Sequence, residues 1–364
     1  MIESTWLQFQ YHVLTAFVLL SLFCNGILMI LIQLKSPKQL GTYKYLMNFI
    51  SIFEICYSIV DYIVVPVMHS YGSSFFIMTP LTHTFLNKQN ALIMQAVWCG
   101  FFGSSMAIFG IHFIYRYLAV SGNSYISTFN GPTLILWMLM PIINGFIWGT
   151  VALICCGPKD VLTNYIRNNL METFGLSVDE VVYIGPYFFD ENGKFLLDWD
   201  VLITLFGASL IMGSSLCTIF YFGWKCYKAL SDLQSLSSGY SPQYRALQRQ
   251  FFAALVCQTV IPISLMHFPL LISYSGALLN RGFGRLSNLA SITIAFYPAI
   301  DPLPSILIIK NYREGVKNFC LAPIQCCIKL KKKYSSKVAN VEVSDRRSSS
   351  IPENGVTSVW GEVL

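Results

Sequence analysis

The chain has 364 residues, of which 54% are hydrophobic and 12% charged, and a formal net charge of +6. Soluble domains carry about 25% charged residues, so this composition excludes one: too little polar surface exists to cover the apolar side chains. It fits a multi-pass membrane protein, and the 15% aromatic content suits interfacial belts as well as core packing.

Seven segments are apolar over the twenty or so residues needed to cross a bilayer: Val13–Leu34, Tyr45–Met68, Ala91–Tyr115, Pro132–Cys156, Val201–Trp224, Gln250–Tyr274 and Leu286–Ile309. The predicted fold is an all-α membrane protein, a seven-transmembrane-helix bundle. Residues 1–12 form a short segment ahead of helix one. No Lys or Arg precedes that helix, so it does not read as a cleaved signal peptide. Placing the N-terminus outside puts 18 of the 24 Lys and Arg on the inner side. The positive-inside rule therefore predicts an extracellular N-terminus and a cytoplasmic C-terminus. The membrane-spanning domain is 13–309, with a long outer loop 157–200 that holds eight carboxylates against three basic residues. Within that loop Val178–Phe189 reads equally as a short hairpin lid or a solvated loop. Residues 310–328 read as an amphipathic juxtamembrane segment and 329–364 as a disordered cytoplasmic tail.

In chain order, helix one carries Asn25 and helix two carries Glu54 and Asp61, with His69 closing helix two. Helix three opens with Gln95 and Trp98. It then presents Gly100, Gly103, Ala107 and Gly110 at spacings of three and four, which predicts a crowded central helix. Its inner end is Tyr115-Arg116-Tyr117. Cys99 is the expected partner if Cys155 or Cys156 pairs; the other span cysteines read as small buried hydrophobes. Lys225, Lys228, Arg245 and Arg249 flank a Ser- and Gly-rich inner loop. Helix six has Pro262, His267 and Pro269; helix seven has Tyr297, Pro298, Asp301, Pro302 and Pro304. Cys326 and Cys327 lie beside Lys329–Lys333, a juxtamembrane pattern suited to palmitoylation and acidic lipid.

A helix rises about 1.5 Å per residue, so Asn25, Glu54 and Asp301 lie at one level, roughly 13–15 Å from the inner boundary. Ionisable groups at that depth point inward and find partners. The layer reads as an activation switch, an ion or proton site, or a static network, and the neighbouring prolines favour the switch. Asp61, His69, Gln95, Trp98, His267 and Tyr297 lie nearer the outside and are the candidate lining of a ligand pocket. Arg116, Lys225, Lys228, Arg245 and Arg249 are the candidate inner interface. Neither a phosphate-binding loop nor a hydrolase or zinc signature appears, so no enzyme, cofactor or metal is expected.

The sequence resembles nematode serpentine chemoreceptors of the Str class, within the seven-transmembrane G-protein-coupled receptors. The carrying stretches are Gly41–Met47, Ile50–Ile55, Tyr57-Ser58, Asp61, Pro66, His69–Tyr71, Tyr115–Ala119 and Tyr183–Tyr187. They continue through Leu247–Gln250, Ala254–Thr259, Ile261-Pro262, Pro269, Tyr297-Pro298 and Asp301–Pro304. The resemblance covers about residues 7–325. It implies olfactory sensory transduction: an odorant or other small-molecule ligand, a heterotrimeric G protein, membrane lipids but no nucleic acid as partners, and the plasma membrane of sensory cilia. Tyr115-Arg116-Tyr117 stands where rhodopsin-like receptors carry an acidic-Arg-aromatic triplet, without the acidic residue. Asn25 is similar to their helix-one asparagine. Asp301-Pro302 resembles their helix-seven motif, with Ser305 in place of its tyrosine. The alternative reading is a ligand-gated channel or transporter that uses Glu54, Asp61 and Asp301 as an ion path. Inverted odorant channels have the N-terminus inside, opposite to the orientation the basic residues predict here.

Overall fold

The computed structural model describes residues 2–190, 193–196, 199–235, 241–319 and 321. The chain divides into two compact units, 1–313 and 314–364. In the second, 314–319 are helical.

The first unit is a helical bundle: α1 (Ile2–Lys35), α2 (Tyr43–Val64), α3 (Lys88–Ser121), α4 (Thr133–Cys156), α5 (Asp160–Phe174), α6 (Trp199–Ser235), α7 (Pro242–Pro262), α8 (Phe268–Leu278), α9 (Asn288–Ile300) and α10 (Pro302–Ile308). Seven of its helices, or end-to-end helix pairs, are long and apolar enough to cross a membrane: Thr5–Lys35, Tyr43–Val64, Lys88–Ser121, Thr133–Cys156, Trp199–Leu233, Pro242–Leu278 and Asn288–Ile308. Large apolar side chains such as Leu19, Phe23, Phe146, Phe206 and Phe220 stand on their outer faces. So much exposed apolar surface suits hydrocarbon rather than water.

Proline sets the shape of the last two spans. Pro262 ends α7, and the π-turn Ile263–His267 carries the chain into α8. A single wide turn of this kind shifts the side-chain directions that follow it. In the last span, α9 and α10 meet at Asp301, immediately before Pro302. Leu286–Ile309, expected as one bent helix, is thus two helical pieces with the carboxylate at their junction.

α3 runs through the middle because it is narrow where α4 crosses it. A Cβ on Gly100 would stand 2.7 Å from the Gly145 carbonyl oxygen, and one on Gly149 would stand 2.6 Å from that of Ala96. Only backbone without side chains fits there. Gly110, farther along α3, faces Thr218 of α6 instead, at an ordinary 3.4 Å.

One end of the bundle is closed by a three-stranded antiparallel sheet, β1 (Val67–Tyr71), β2 (Ser74–Pro80) and β3 (Val181–Ile184), with β2 in the middle. This corrects the sequence reading in three places. Helix two does not continue to Met68: Val65 turns left-handed at φ 48°, and Pro66 has no N–H to continue the ladder. The next residues form a hairpin through Gly72-Ser73, with Gly72 at φ 51°. The 178–189 segment does form a strand, yet it pairs with β2 rather than with itself. The loop 157–200 also contains α5, whose Leu162, Ile166, Leu170 and Phe174 recur every fourth residue and are all buried against the sheet. Finally, α1 begins at Ile2, so residues 2–12 belong to the helix. Leu7 packs under the sheet and Gln10 Nε2 donates to the Pro66 carbonyl at 2.9 Å.

Candidate functional site

The site is a cavity of about 590 Å³ between α3, α4, α6 and the α7–α8 span, beneath β2 and β3. Its walls are mainly aromatic and aliphatic: Trp98 and Phe102 from α3, Trp148 from α4, Phe75 from β2, and Tyr274 from α8. Cavities of this size and character hold small molecules. The π-turn ends at His267, whose ring lies 4.6 Å from that of Phe102. His267 Nε2 is 3.3 Å from Ser105 Oγ on α3. Asn144 Nδ2 donates to the Gly103 carbonyl at 3.0 Å, and Thr204 Oγ1 lies 3.2 Å from Cys156 Sγ. Cys99, Cys155 and Cys156 form no disulfide in this structure, so the pairing that the sequence left open is not made.

Two of the six residues expected to line a pocket do so, Trp98 and His267. The other four are held elsewhere. Asp61 stands behind the wall and accepts from Trp98 Nε1 at 2.7 Å, fixing the indole. Gln95 donates to the Ile77 carbonyl and ties α3 to the sheet. His69 sits on β1, with Nδ1 3.4 Å from Asn288 Oδ1 and Nε2 2.9 Å from Asn169 Oδ1, so it links the sheet to α9 and α5. Tyr297 is fully buried deeper in the bundle. Sequence inspection missed Phe75, Phe102, Trp148 and Tyr274. They come from four separate elements, and their only local signal is that they are aromatic.

Below the cavity the polar level assembles. Tyr57 lies 6.0 Å from Trp98 and 6.4 Å from Tyr297, ring to ring. The Tyr297 hydroxyl donates to Glu54 Oε1 at 3.5 Å. Glu54 in turn neighbours the Asp301 carboxyl and Asn25. Asn25 Nδ2 donates to the Pro298 carbonyl at 3.0 Å, and Ser58 Oγ donates to Ser21 Oγ at 2.7 Å. Gln258 Nε2 donates to Asp301 Oδ2 at 2.9 Å, and its carbonyl accepts from Ser305 Oγ at 2.9 Å. α1, α2, α7, α9 and α10 therefore meet in one buried network. Gln258 was missed, and Ser305 was noted only as standing in place of a tyrosine, because amides and hydroxyls in a span attract less notice than charges.

At the end away from the sheet, Arg116 is buried rather than offered to a partner. Its guanidinium lies 3.6 Å from the Tyr43 ring centre and 4.3 Å from that of Phe251. Nη1 donates to Gln248 Oε1 at 3.1 Å. Two aromatic faces and a neutral amide thus stand in for an acidic partner. Lys225 lies over Tyr221 and Lys228 over Trp224, while Arg245 and Arg249 lie near the start of α7. Tyr312 and Ser36 share a hydrogen bond of 2.7 Å; burial pushes the Tyr312 phenol up to about 12, so it stays protonated near neutral pH. Cys326 and Cys327 lie outside the described residues, as do Lys329–Lys333.

The serpentine type 7TM GPCR chemoreceptor Str family matches residues 10–317. A Caenorhabditis elegans protein named G-protein coupled receptor str-217 is 35% identical over 307 residues, covering 84% of this chain and 88% of its own. Serpentine receptor class r-10 of the same organism is 31% identical over 301 residues, covering 82% and 87%. Squid rhodopsin shares the fold, with a TM-score of 0.54 over 86% of this chain and 80% of its own at 10% identity. The chain belongs to the Str family of serpentine seven-transmembrane G-protein-coupled chemoreceptors.

Proposed function

We propose that the 590 Å³ cavity is the site of a small-molecule chemosensory ligand, and that its occupation activates a heterotrimeric G protein at the opposite end of the bundle. In this reading the N-terminus and sheet are extracellular, and the receptor resides in the plasma membrane of chemosensory cilia. The observation that carries it is the contact chain from a cavity wall to the polar network: Trp98, Tyr57, Tyr297, Glu54 and Asp301. A ligand pressing on the Trp98 wall acts on one end of that chain. At the other end lies the α9–α10 break, joined through Gln258 to α7. A ligand shifts this equilibrium only by its differential affinity for the two arrangements. The prolines of the last two spans make them the movable parts, as in hinge motions generally. Their movement frees Arg116 from its aromatic clamp and opens an inner cleft beside it, where Lys225, Lys228, Arg245 and Arg249 meet the G protein.

The test is an odorant panel applied to cells expressing the full chain and a reporter of Gα activation. An active compound is expected, and Ala152→Trp, which fills the cavity, should abolish its response at unchanged surface expression. A flat response across the panel with surface expression verified would sink this reading. An N-terminal epitope tag should label on intact cells; labelling only after permeabilisation would favour an inverted channel.

A further inference from the structure

Within the reading of the cavity as a ligand site, we propose that it is built for an uncharged, mainly apolar molecule that donates a hydrogen bond, such as a hydroxyl compound, to His267 Nδ1. Tyr274 supplies a second polar contact nearer the sheet.

Charge is excluded first. No Asp, Glu, Lys or Arg is among the described residues lining the cavity. A carboxylate or ammonium ligand would be stripped of water with no partner, at a cost several times that of a hydrogen bond.

The polar lining then narrows the class. Trp98 Nε1, Asn144 Nδ2 and Thr204 Oγ1 are engaged with protein atoms, and Ser209 is exposed. His267 Nδ1 and the Tyr274 hydroxyl belong to the same wall, and both are buried without a partner. Buried polar atoms are nearly always satisfied, so two unpartnered ones on residues that line the same cavity point to an occupant.

Its polarity follows from Ser105. A serine hydroxyl has one proton to give. Ser105 Oγ donates to the Phe102 carbonyl at 2.7 Å. Towards His267 it can therefore only accept, and Nε2, 3.3 Å away, must carry the hydrogen. With no carboxylate in the lining to pair an imidazolium, the ring is neutral and Nδ1 is a bare acceptor. The ligand atom facing it must bring a proton. Tyr274 lies seven residues on, two helical turns nearer the sheet, or about 10 Å. The Phe188 ring holds it edge-on at 5.3 Å.

The experiment uses the full chain purified into lipid nanodiscs and follows its thermal unfolding. The probes are matched trios: hexanol, octanol and benzyl alcohol, their methyl ethers, and the corresponding carboxylates at neutral pH. The alcohols should stabilise the protein at concentrations at least about fivefold below the ethers, the ratio expected for one buried hydrogen bond made or left unmade. Carboxylates should have no effect. His267→Phe keeps a ring but removes the acceptor and should erase the alcohol preference. His267→Gln restores an acceptor and should retain it, which guards against a Phe variant that merely packs badly. Equal stabilisation by alcohols and ethers overturns the donor requirement, and so does silence across the panel. If alcohols stabilise Ala152→Trp as well as the unaltered chain, it is instead the cavity's role as the ligand site that fails.

Discussion

Asp61 shows what a buried carboxyl does when it stands one layer behind a surface. It touches no part of the cavity, yet Oδ1 accepts from the Trp98 indole at 2.7 Å and holds that ring as wall. Replacing it with Leu leaves the indole N–H buried and unpaired, a loss of about 1–3 kcal/mol. Asp61→Leu should lower the melting temperature and weaken response to an activating compound at least several-fold. Asp61→Asn keeps an acceptor and should stay close to the unaltered protein in both measurements. Equal loss in the two variants would mean that the carboxyl itself, not the accepted hydrogen bond, is what matters. Arg116 makes the complementary point. Read from sequence, an arginine at the inner end of helix three is a surface charge or an interface residue. Only the fold reveals that Tyr43, Phe251 and Gln248 enclose it, because they come from two other helices.

At the level of elements, the crossing of α3 and α4 fixes the cavity's width. Gly100 and Gly145 let the two backbones touch, and Trp148, one turn from Gly145, then reaches the cavity. Gly100→Val places a Cβ 2.7 Å from a carbonyl that cannot move without shifting α4. Overpacking of this kind costs about 1–3 kcal/mol. Gly110→Ala, on the same helix, meets only the Thr218 methyl at 3.4 Å and gains helix propensity of up to about 1 kcal/mol. The melting temperature should therefore fall for the first and hold or rise for the second; a fall in both would place α3 closer to α6 than the structure has it. The glycine spacing and the seven apolar runs were legible because each is a local pattern. So, in principle, were two features that the sequence reading passed over. Leu162, Ile166, Leu170 and Phe174 recur at one helical spacing inside an acidic loop, and Gly72-Ser73 is a two-residue hairpin signal. The apolar run leading out of α2 masked the hairpin, since a strand buried on both faces reads like the end of a span. The cavity itself was not legible, because its lining is drawn from helices and strands far apart in the chain.

For the whole molecule, the question is how a cavity near the sheet would act on the other end of the bundle. The polar level at Asn25, Glu54 and Asp301 was legible in outline, because charges in spans are rare and their depth follows from helix rise. What sequence could not supply was the direction of the connection. Asp301 sits at the break between α9 and α10 and is held from α7 by Gln258, which also accepts from Ser305 of α10. The network therefore joins the two spans that bend at prolines. A group in that position can serve activation without serving ligand binding, and the two roles separate in one variant. Asp301→Asn preserves size and an oxygen to accept from Gln258 while removing the titratable carboxyl beside Glu54. If the network is the switch, this variant should bind an activating compound with unchanged affinity, measured by thermal stabilisation in nanodiscs. Its G-protein activation should meanwhile fall at least about tenfold, a bias of about 1.4 kcal/mol between the two arrangements. Parallel loss of binding and activation would instead make Asp301 a static strut of the bundle. Unchanged activation would mean that the signal passes along some path other than the one through Tyr297 and Glu54.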